Sequence, residues 1–339
     1  MRAIVTDGEG DIWEETHDRP EPGPGEALVR IRAVGICGSD IGLIEGEGPP
    51  WTRYPLVPGH EVCAEVVELG DGVDSLSVGD RVALHGFIYC GACAHCRDGR
   101  YYQCDDLREI GFTVAGGYRE YAAFPAYTLT PLPDDVTDLE ACQIDSAACT
   151  LHAMDRLEMS FSDTAAVLGP GSLGLFGVQL LRARGVDDVI LTGTREERLA
   201  VGHDVGATRT VNVREEDPVE AILAYTDGDG VDVCVETAGA GDVVNTCLKI
   251  AAKRGQIALT GVFDGPREID PNDVVAKELS VVGGVTASHA TDDVIELFRR
   301  DDLTIDGIVT HEFDLAEYDE AIEAVRERRD GVIKAVLRP

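Results

Sequence analysis

Two early residues of this 339-residue chain offer chemistry together: Cys37 in the run G-I-C-G-S-D and His60 in P-G-H-E. A thiolate and an imidazole suit zinc, and a catalytic zinc takes three protein ligands and leaves one position for water or substrate. The pair lies too far apart in sequence for a local zinc ribbon, so a folded domain must bring them together. Ser39 sets a hydroxyl two positions after the thiolate, where it would relay a substrate proton, and Glu61 sets a carboxylate beside the imidazole. The plain alternative is a buried cysteine and a lone loop histidine; the neighbours favour a metal.

A second pattern, C-x2-C-x2-C-x7-C, is made by Cys90, Cys93, Cys96 and Cys104. Four thiolates at this spacing close a tetrahedral zinc site with no open position, which makes it structural. Bacterial ferredoxins also use C-x2-C-x2-C, but their fourth cysteine comes after three residues and precedes proline. Here it comes after seven and precedes Asp105, so zinc is preferred over an iron–sulfur cluster or disulfides. Cys63, Cys234 and Cys247 lie in apolar runs and read as small core residues.

The third signal is a turn. Ala165–Leu168 runs into Gly169-Pro170-Gly171-Ser172-Leu173-Gly174 and then an apolar helical stretch. In G-x-G-x-x-G between strand and helix, the first glycine makes the turn, the second admits a pyrophosphate and the third packs helix on strand. The helix N-terminus offers free N–H groups to the phosphates. An NAD site expects an acid at the end of the next strand to hold the ribose 2′-hydroxyl, whereas an NADP site offers room and arginine. That position is Gly193, followed by Thr194 and Arg195, with Arg214 after the following strand as a second cation. Arg195 also suits an ordinary helix-start surface role. NADP is favoured, with NAD as the alternative.

These residues need a scaffold, and its texture changes along the chain. Short alternating runs punctuated by P-E-P-G-P-G suggest hairpins over residues 2–35. Leu28–Val34, Val62–Leu69 and Arg81–Leu84 read as strands of an irregular antiparallel domain. From Leu151, short apolar strands (Ala165–Leu168, Asp188–Leu191, Asp232–Glu236, Gln256–Leu259) alternate with helical stretches (Leu173–Arg184, Arg195–Val205, Val219–Ala224). Such alternation predicts a parallel sheet covered on both faces. Helices over Asp292–Arg300 and Leu315–Glu327 and a strand over Val332–Leu337 complete the chain. The length exceeds what one core usually fills, so two domains are expected.

Composition bounds the partners. There are 63 acidic against 29 basic residues, a formal net charge of −34, and only four lysines. Such a surface repels nucleic acid and anionic membrane. Self-repulsion relieved by salt predicts a halophilic source, tested by melting the protein across KCl. No apolar run reaches the length of a membrane span and the start lacks a signal-peptide core, so a soluble cytoplasmic protein is expected. Ten cysteines in that setting point to metal or packing before disulfides.

G-I-C-G-S-D followed by G-H-E, with Gly70 and Val73 downstream, resembles the zinc signature of the medium-chain alcohol and polyol dehydrogenases; Ala64 stands where that signature has glycine. The resemblance runs from residue 1 to 339 and takes in the cysteine lobe and the glycine-rich turn. It implies an α/β protein with a doubly wound Rossmann domain over 151–286. The remainder, 1–150 and 287–339, becomes a discontinuous β-rich, GroES-like catalytic domain whose structural zinc lobe spans about 88–106. The family places a third zinc ligand shortly before an L-H-A-like segment; the matching residue is Asp145, with Cys142 and Cys149 as rivals. Cys149 lies one helical turn beyond Asp145. Counterparts of Glu61 move on and off the metal in polyol relatives. His152 reads as a helix-packing histidine. Polyol relatives carry a histidine soon after C-G-S-D; this chain has Gly42, so a proton relay would stop at Ser39, the ribose and solvent.

G-T-R is similar to the G-S-R of NADP-dependent relatives, and the backbone of Gly261 and Val262 matches groups that line the nicotinamide. The implied activity is reversible oxidation of an alcohol with NADP or NAD and two zinc ions per chain, one catalytic and one structural. Sugar alcohols, aldoses, a 3-hydroxy amino acid and simple alcohols are the substrate classes, with the polyol and sugar branch preferred because a carboxylate sits at the third-ligand position. Trp51 and Tyr54 precede G-H-E and are candidates for the pocket wall. The family implies a homotetramer or homodimer. A regulatory nucleotide-binding protein and a zinc-free quinone-type reductase are the rival readings.

Overall fold

The computed structural model describes residues 1–160, 163–263, 265–284 and 290–339. The chain divides into two compact units, Met1–Asp145 with Thr291–Arg299 and Ile305–Pro339, and Ser146–Ala290 with Arg300–Thr304. The expected domain boundary at residue 287 lies outside the described residues.

In the first unit, Arg2–Thr6 folds back antiparallel on Ile12–Thr16. The turn between them passes through Gly8 and Gly10 at φ 73° and 105°, backbone that glycine adopts without strain. The main sheet has seven strands. Its path runs Val309–Asp314, Lys334–Arg338, Glu26–Ile36, Glu61–Leu69, Arg81–Leu84, Leu129–Pro131, with Tyr121–Pro125 also paired to Glu26–Ile36. Only the first two of these are parallel to each other. Alternation sends Ala27, Val29 and Ile31 inward, and a register shift between Ile31 and Ala33 brings Val34 and Ile36 to the same side, where they meet Val62, Val66 and Phe124 in one buried cluster.

Register does the positioning. Gly35 lies opposite Glu61 and Val34 opposite Val62. The end of one strand, just before Cys37, is thereby set beside the start of another, just after His60. On its other side the same strand pairs Ile36 with Ala335 and Gly35 with Val336, which brings Lys334 to the same corner.

The second unit holds a six-stranded parallel sheet. Its order is Arg209–Asn212, Asp188–Gly193, Thr164–Leu168, Val231–Glu236, Ala251–Leu259, Ser280–Gly283. Strands buried on both faces read as continuous apolar runs, as in Ala165–Leu168 and Val233–Val235. Cys234 and Cys247 are both buried in its core. The order reverses between Thr164–Leu168 and Val231–Glu236; in open α/β sheets ligands bind at such a switch, outside the strands' carboxyl ends.

One expected helix is divided. Leu315–Glu317 forms a 3₁₀ turn and the α-helix runs Tyr318–Glu327. Asp314 accepts from the Ala316 N–H, and Glu317 reaches back to the Asp314 N–H, so the entry is fixed by a capping box. Among the described residues no helix is long and apolar enough to cross a membrane.

Candidate active site and dinucleotide cradle

Cys37 stands in extended backbone at the N-cap of helix Gly38–Ile44, and its N–H donates to Asp40 Oδ2 at 2.8 Å. The ligand atoms of Cys37, His60 and Glu61 all lie within 4.8 Å of one another. Asp145 lies outside that grouping, in the first turn of helix Ile144–Met154. Ser39 is half-buried one residue into the Gly38–Ile44 helix. Cys142, a rival ligand, donates to the Leu139 carbonyl at 3.2 Å, and both it and Cys149 are buried.

The grouping demands positive charge. Burial alone would push the His60 imidazole down, yet Asp40 and Cys37 hold it well above its usual value. Burial lifts the Asp145 carboxyl to about 6, with Glu61 and Asp40 adding to the rise against His60 and Lys334. A buried imidazole that keeps its proton, beside a thiol and a second carboxyl group, forms a donor set suited to a divalent cation.

Lys334 already supplies one charge. Its Nζ lies 2.6 Å and 2.7 Å from the two oxygens of Glu61, with the lysine side chain 3% and the glutamate 1% exposed. Burial works against the lysine's charge, but Glu61 and Cys37 raise its pKa overall. Gly35 makes room for this pair, since a Cβ there would run into Glu61.

Asp40 is the other residue that sequence reading passed over. It is fully buried. Its Oδ2 accepts from Cys37 N–H and from the Tyr118 hydroxyl at 3.0 Å, and its Oδ1 accepts from Gly59 N–H at 3.3 Å. His60 Nδ1 sits 3.4 Å from Oδ1, long for a hydrogen bond and close enough for ion pairing. A carboxylate on the far nitrogen orients a metal-binding imidazole. Two signals pointed here: Asp40 occupies the third helical position after Cys37, and Lys334 is a rare lysine inside the apolar run I-K-A-V-L.

The sulfurs of Cys90, Cys93, Cys96 and Cys104 also lie within 4.8 Å of one another. Backbone amides aim at them. Cys90 Sγ accepts from Ala92 and Cys93, Cys93 Sγ from Cys96, and Cys104 Sγ from Cys90 and Asp106, at 3.3–3.4 Å. Amides of Asp105 and Cys96 bring the Cys93 thiol down to about 6, while burial pushes Cys96 up to about 12. Amides pointed at sulfur favour thiolates, the form that binds metal.

In the second unit, Gly169 has φ 113° and any Cβ would meet Ala238 at 3.0 Å. A Cβ on Gly174 would strike the Gly169 carbonyl, with Thr237 Oγ1 2.8 Å away, whereas Gly171 faces open space. Helix Ser172–Ala183 starts beyond Gly171 with no side-chain cap, so its first N–H groups are left for a phosphate. Gly193 admits no side chain, because a Cβ would lie 2.5 Å from the Pro170 ring. An acid is excluded from the ribose position. Thr194 is exposed, Arg195 is the half-buried N-cap of helix Glu196–Asp204, and Arg214 is exposed beyond Asn212, which pairs with Gly193. At the next strand end, Gly261 is packed against Gly239, and Val262 is 76% exposed.

Residues 23–134 match the family model described as alcohol dehydrogenase GroES-like domain, and residues 172–300 match that described as zinc-binding dehydrogenase. The sorbitol dehydrogenase of Halalkalibacterium halodurans is 33% identical across 100% of this chain and 99% of its own. The L-threonine 3-dehydrogenase of Pyrococcus furiosus is 33% identical, with 95% and 94% covered. The chain belongs to the zinc-binding alcohol dehydrogenases. A zinc-binding dehydrogenase from Sinorhizobium meliloti 1021 bound to NADP has the same fold, with TM-score 0.94, 32% identity and 100% and 99% coverage. The dehydrogenase is therefore a zinc-dependent oxidoreductase of α/β class, with GroES-like and Rossmann parts, that exchanges a hydride between an alcohol and a nicotinamide dinucleotide.

Proposed function

We propose that the dehydrogenase oxidises a secondary or primary alcohol of a polyol, sugar or 3-hydroxy amino acid with NADP, using one zinc in each of its two metal-binding clusters. The first unit is the catalytic domain and the second binds the dinucleotide. The observation that carries the metal reading is the grouping of Cys37, His60 and Glu61, whose ligand atoms lie within 4.8 Å of one another with His60 and Glu61 buried. Cys37, His60 and Glu61 are the donors grouped here, and Asp145, outside that grouping, completes the assigned set. Glu61, its charge shared with Lys334, is the exchangeable donor. Zinc held there supplies a Lewis acid that makes an alcohol hydroxyl more acidic. Ser39 takes up that proton and passes it to the ribose hydroxyls and solvent. Asp40 keeps the His60 ring turned to the metal, and Lys334 keeps Glu61 from crowding it.

NADP is preferred because Gly193 has no room for the acid that NAD needs, while Thr194, Arg195 and Arg214 follow the two strand ends that meet there. Gly169, Gly171, Ser172, Leu173 and Gly174 hold the pyrophosphate, and the Gly261 and Val262 backbone lines the nicotinamide. Similarity to proteins named sorbitol dehydrogenase and L-threonine 3-dehydrogenase supports that class. A homotetramer or homodimer in the cytoplasm completes the reading, and the net charge of −34 supports a salt-rich setting.

The test is a panel of polyols, aldoses, L-threonine and simple alcohols, assayed with NADP and NAD in molar KCl. The expected result is turnover of a polyol or sugar at least about tenfold more efficient with NADP, the factor that about 1.4 kcal/mol of differential binding gives. Preference for NAD would overturn the cofactor assignment.

A further inference from the structure

At the carboxyl end of the central strand Val231–Glu236, one side chain organises two loops. Glu236 is fully buried, and its Oε1 accepts from the N–H groups of Ala238 at 2.7 Å and Gly239 at 2.8 Å. Its own carbonyl accepts from Thr260 at 2.9 Å and Gly261 at 3.2 Å. The segment held this way is wedged between two pieces of backbone. On one side Ala238 closes on Gly169, and the Thr237 hydroxyl donates to the carbonyls of Leu168 and Gly169 at 3.0 Å and 3.1 Å. On the other side Gly239 and Gly261 approach so closely that neither tolerates a Cβ, and one on Gly239 would press on Val262. Nothing apolar explains an acid here. Burial raises its pKa, and among the described residues its Oε2 has no hydrogen-bond partner.

We propose that Glu236 is the positioning residue of the cofactor cradle: its carboxyl fixes the 237–239 backbone, and that backbone sets the spacing between the glycine-rich turn and the Thr260–Val262 loop. The inference rests on the reading that the second unit binds a nicotinamide dinucleotide. Glu236 touches neither phosphate nor reacting atoms in this scheme; it removes freedom that the cofactor would otherwise have to freeze on binding.

Two variants and two readouts test it. Glu236→Gln keeps an oxygen that accepts from both amides, whereas Glu236→Asp keeps the charge but is one methylene too short to reach them. In Glu236→Asp, amide hydrogen exchange at Ala238 and Gly239 should accelerate in cofactor-free protein. Its Kd for NADPH should rise about tenfold or more, the size expected when buried donors lose their acceptor. The KM for the dinucleotide should rise with it, while kcat at saturating cofactor and zinc content stay near the wild type. Glu236→Gln should restore the Kd to within about threefold of the wild type, as the conserved acceptor requires. Wild-type exchange in Glu236→Asp, or faster exchange with unchanged NADPH affinity, overturns the inference and leaves a purely structural acid. A wild type that binds neither NADPH nor NADH removes the cofactor reading and this inference with it. One that binds while Glu236→Asp binds equally well removes the inference alone.

Discussion

The two metal-binding clusters of the first unit are built on opposite plans. Cys90, Cys93, Cys96 and Cys104 come from one short lobe, and their sulfurs are met almost entirely by backbone amides of the same segment. Cys37, His60 and Glu61 are brought together by strand register; of their supports, Asp40 lies three residues beyond Cys37, while Tyr118 and Lys334 come from two further stretches of chain. A local cluster saturates its cation and braces the fold. A distributed one surrounds its cation with groups of adjustable charge, as a site that must admit and release substrate requires.

The sharpest way to break that contrast is to remove one ligand from each cluster. Cys37→Ser should lower kcat/KM by about 10⁴-fold or more, a loss of over 5 kcal/mol in transition-state stabilisation, yet melt cooperatively and keep the lobe's zinc. Cys96→Ser should do the reverse, losing about 3 kcal/mol or more of stability in denaturant titrations while activity falls only as the folded fraction falls. If either variant behaved like the other, the division of roles would be wrong.

The supports of the distributed centre give smaller effects. Lys334→Met leaves Glu61 buried without its cation, which should cost about 3 kcal/mol in metal-free protein and less when zinc is present to take the charge. Equal losses in the two forms would mean that Glu61 never meets the metal. Asp40→Asn should weaken zinc retention against a chelator about tenfold to a hundredfold at this centre only. Tyr118→Phe, which removes one of the bonds to the same carboxylate, should weaken it less.

The last effect is a pH dependence. The Asp145 carboxyl titrates near 6, raised by burial above its unfolded value of about 3.9. Its contribution is thus fully present below about pH 4 and is lost as pH rises through about 6. Metal-free protein should lose about 3 kcal/mol of stability across that window, and Asp145→Asn should flatten the loss. Zinc reverses the sign, because it replaces the proton, so zinc affinity at this centre should climb over the same range. A flat profile in the wild type would mean that burial does not hold the proton on Asp145.

The contrast also explains what the sequence discloses. The lobe and the glycine-rich turn are legible because each is a short segment whose spacing carries its geometry: Cys90 to Cys104 close on themselves, and Gly171 alone of the three turn glycines faces open space for a phosphate. Cys37 and His60 are legible from their neighbours. Lys334 is not, because it reaches Glu61 across 273 residues through the pairing of Ala335 with Ile36. Asp40 and Tyr118 hide for the same reason, being 78 residues apart. Glu236 ends a strand that any parallel sheet would bury, and only the two amides beyond it reveal what the acid does. The sheet topology, more than any motif, creates these contacts.

Limited chelation, followed by metal analysis and assay of the same samples, tests the central claim most directly. Two zinc per chain are expected at the outset, with activity falling in proportion to loss of the first and the cooperative melt persisting until the second is lost. Full activity in protein that has lost one zinc and kept its fold, or a fully active enzyme that never held more than one, would contradict it.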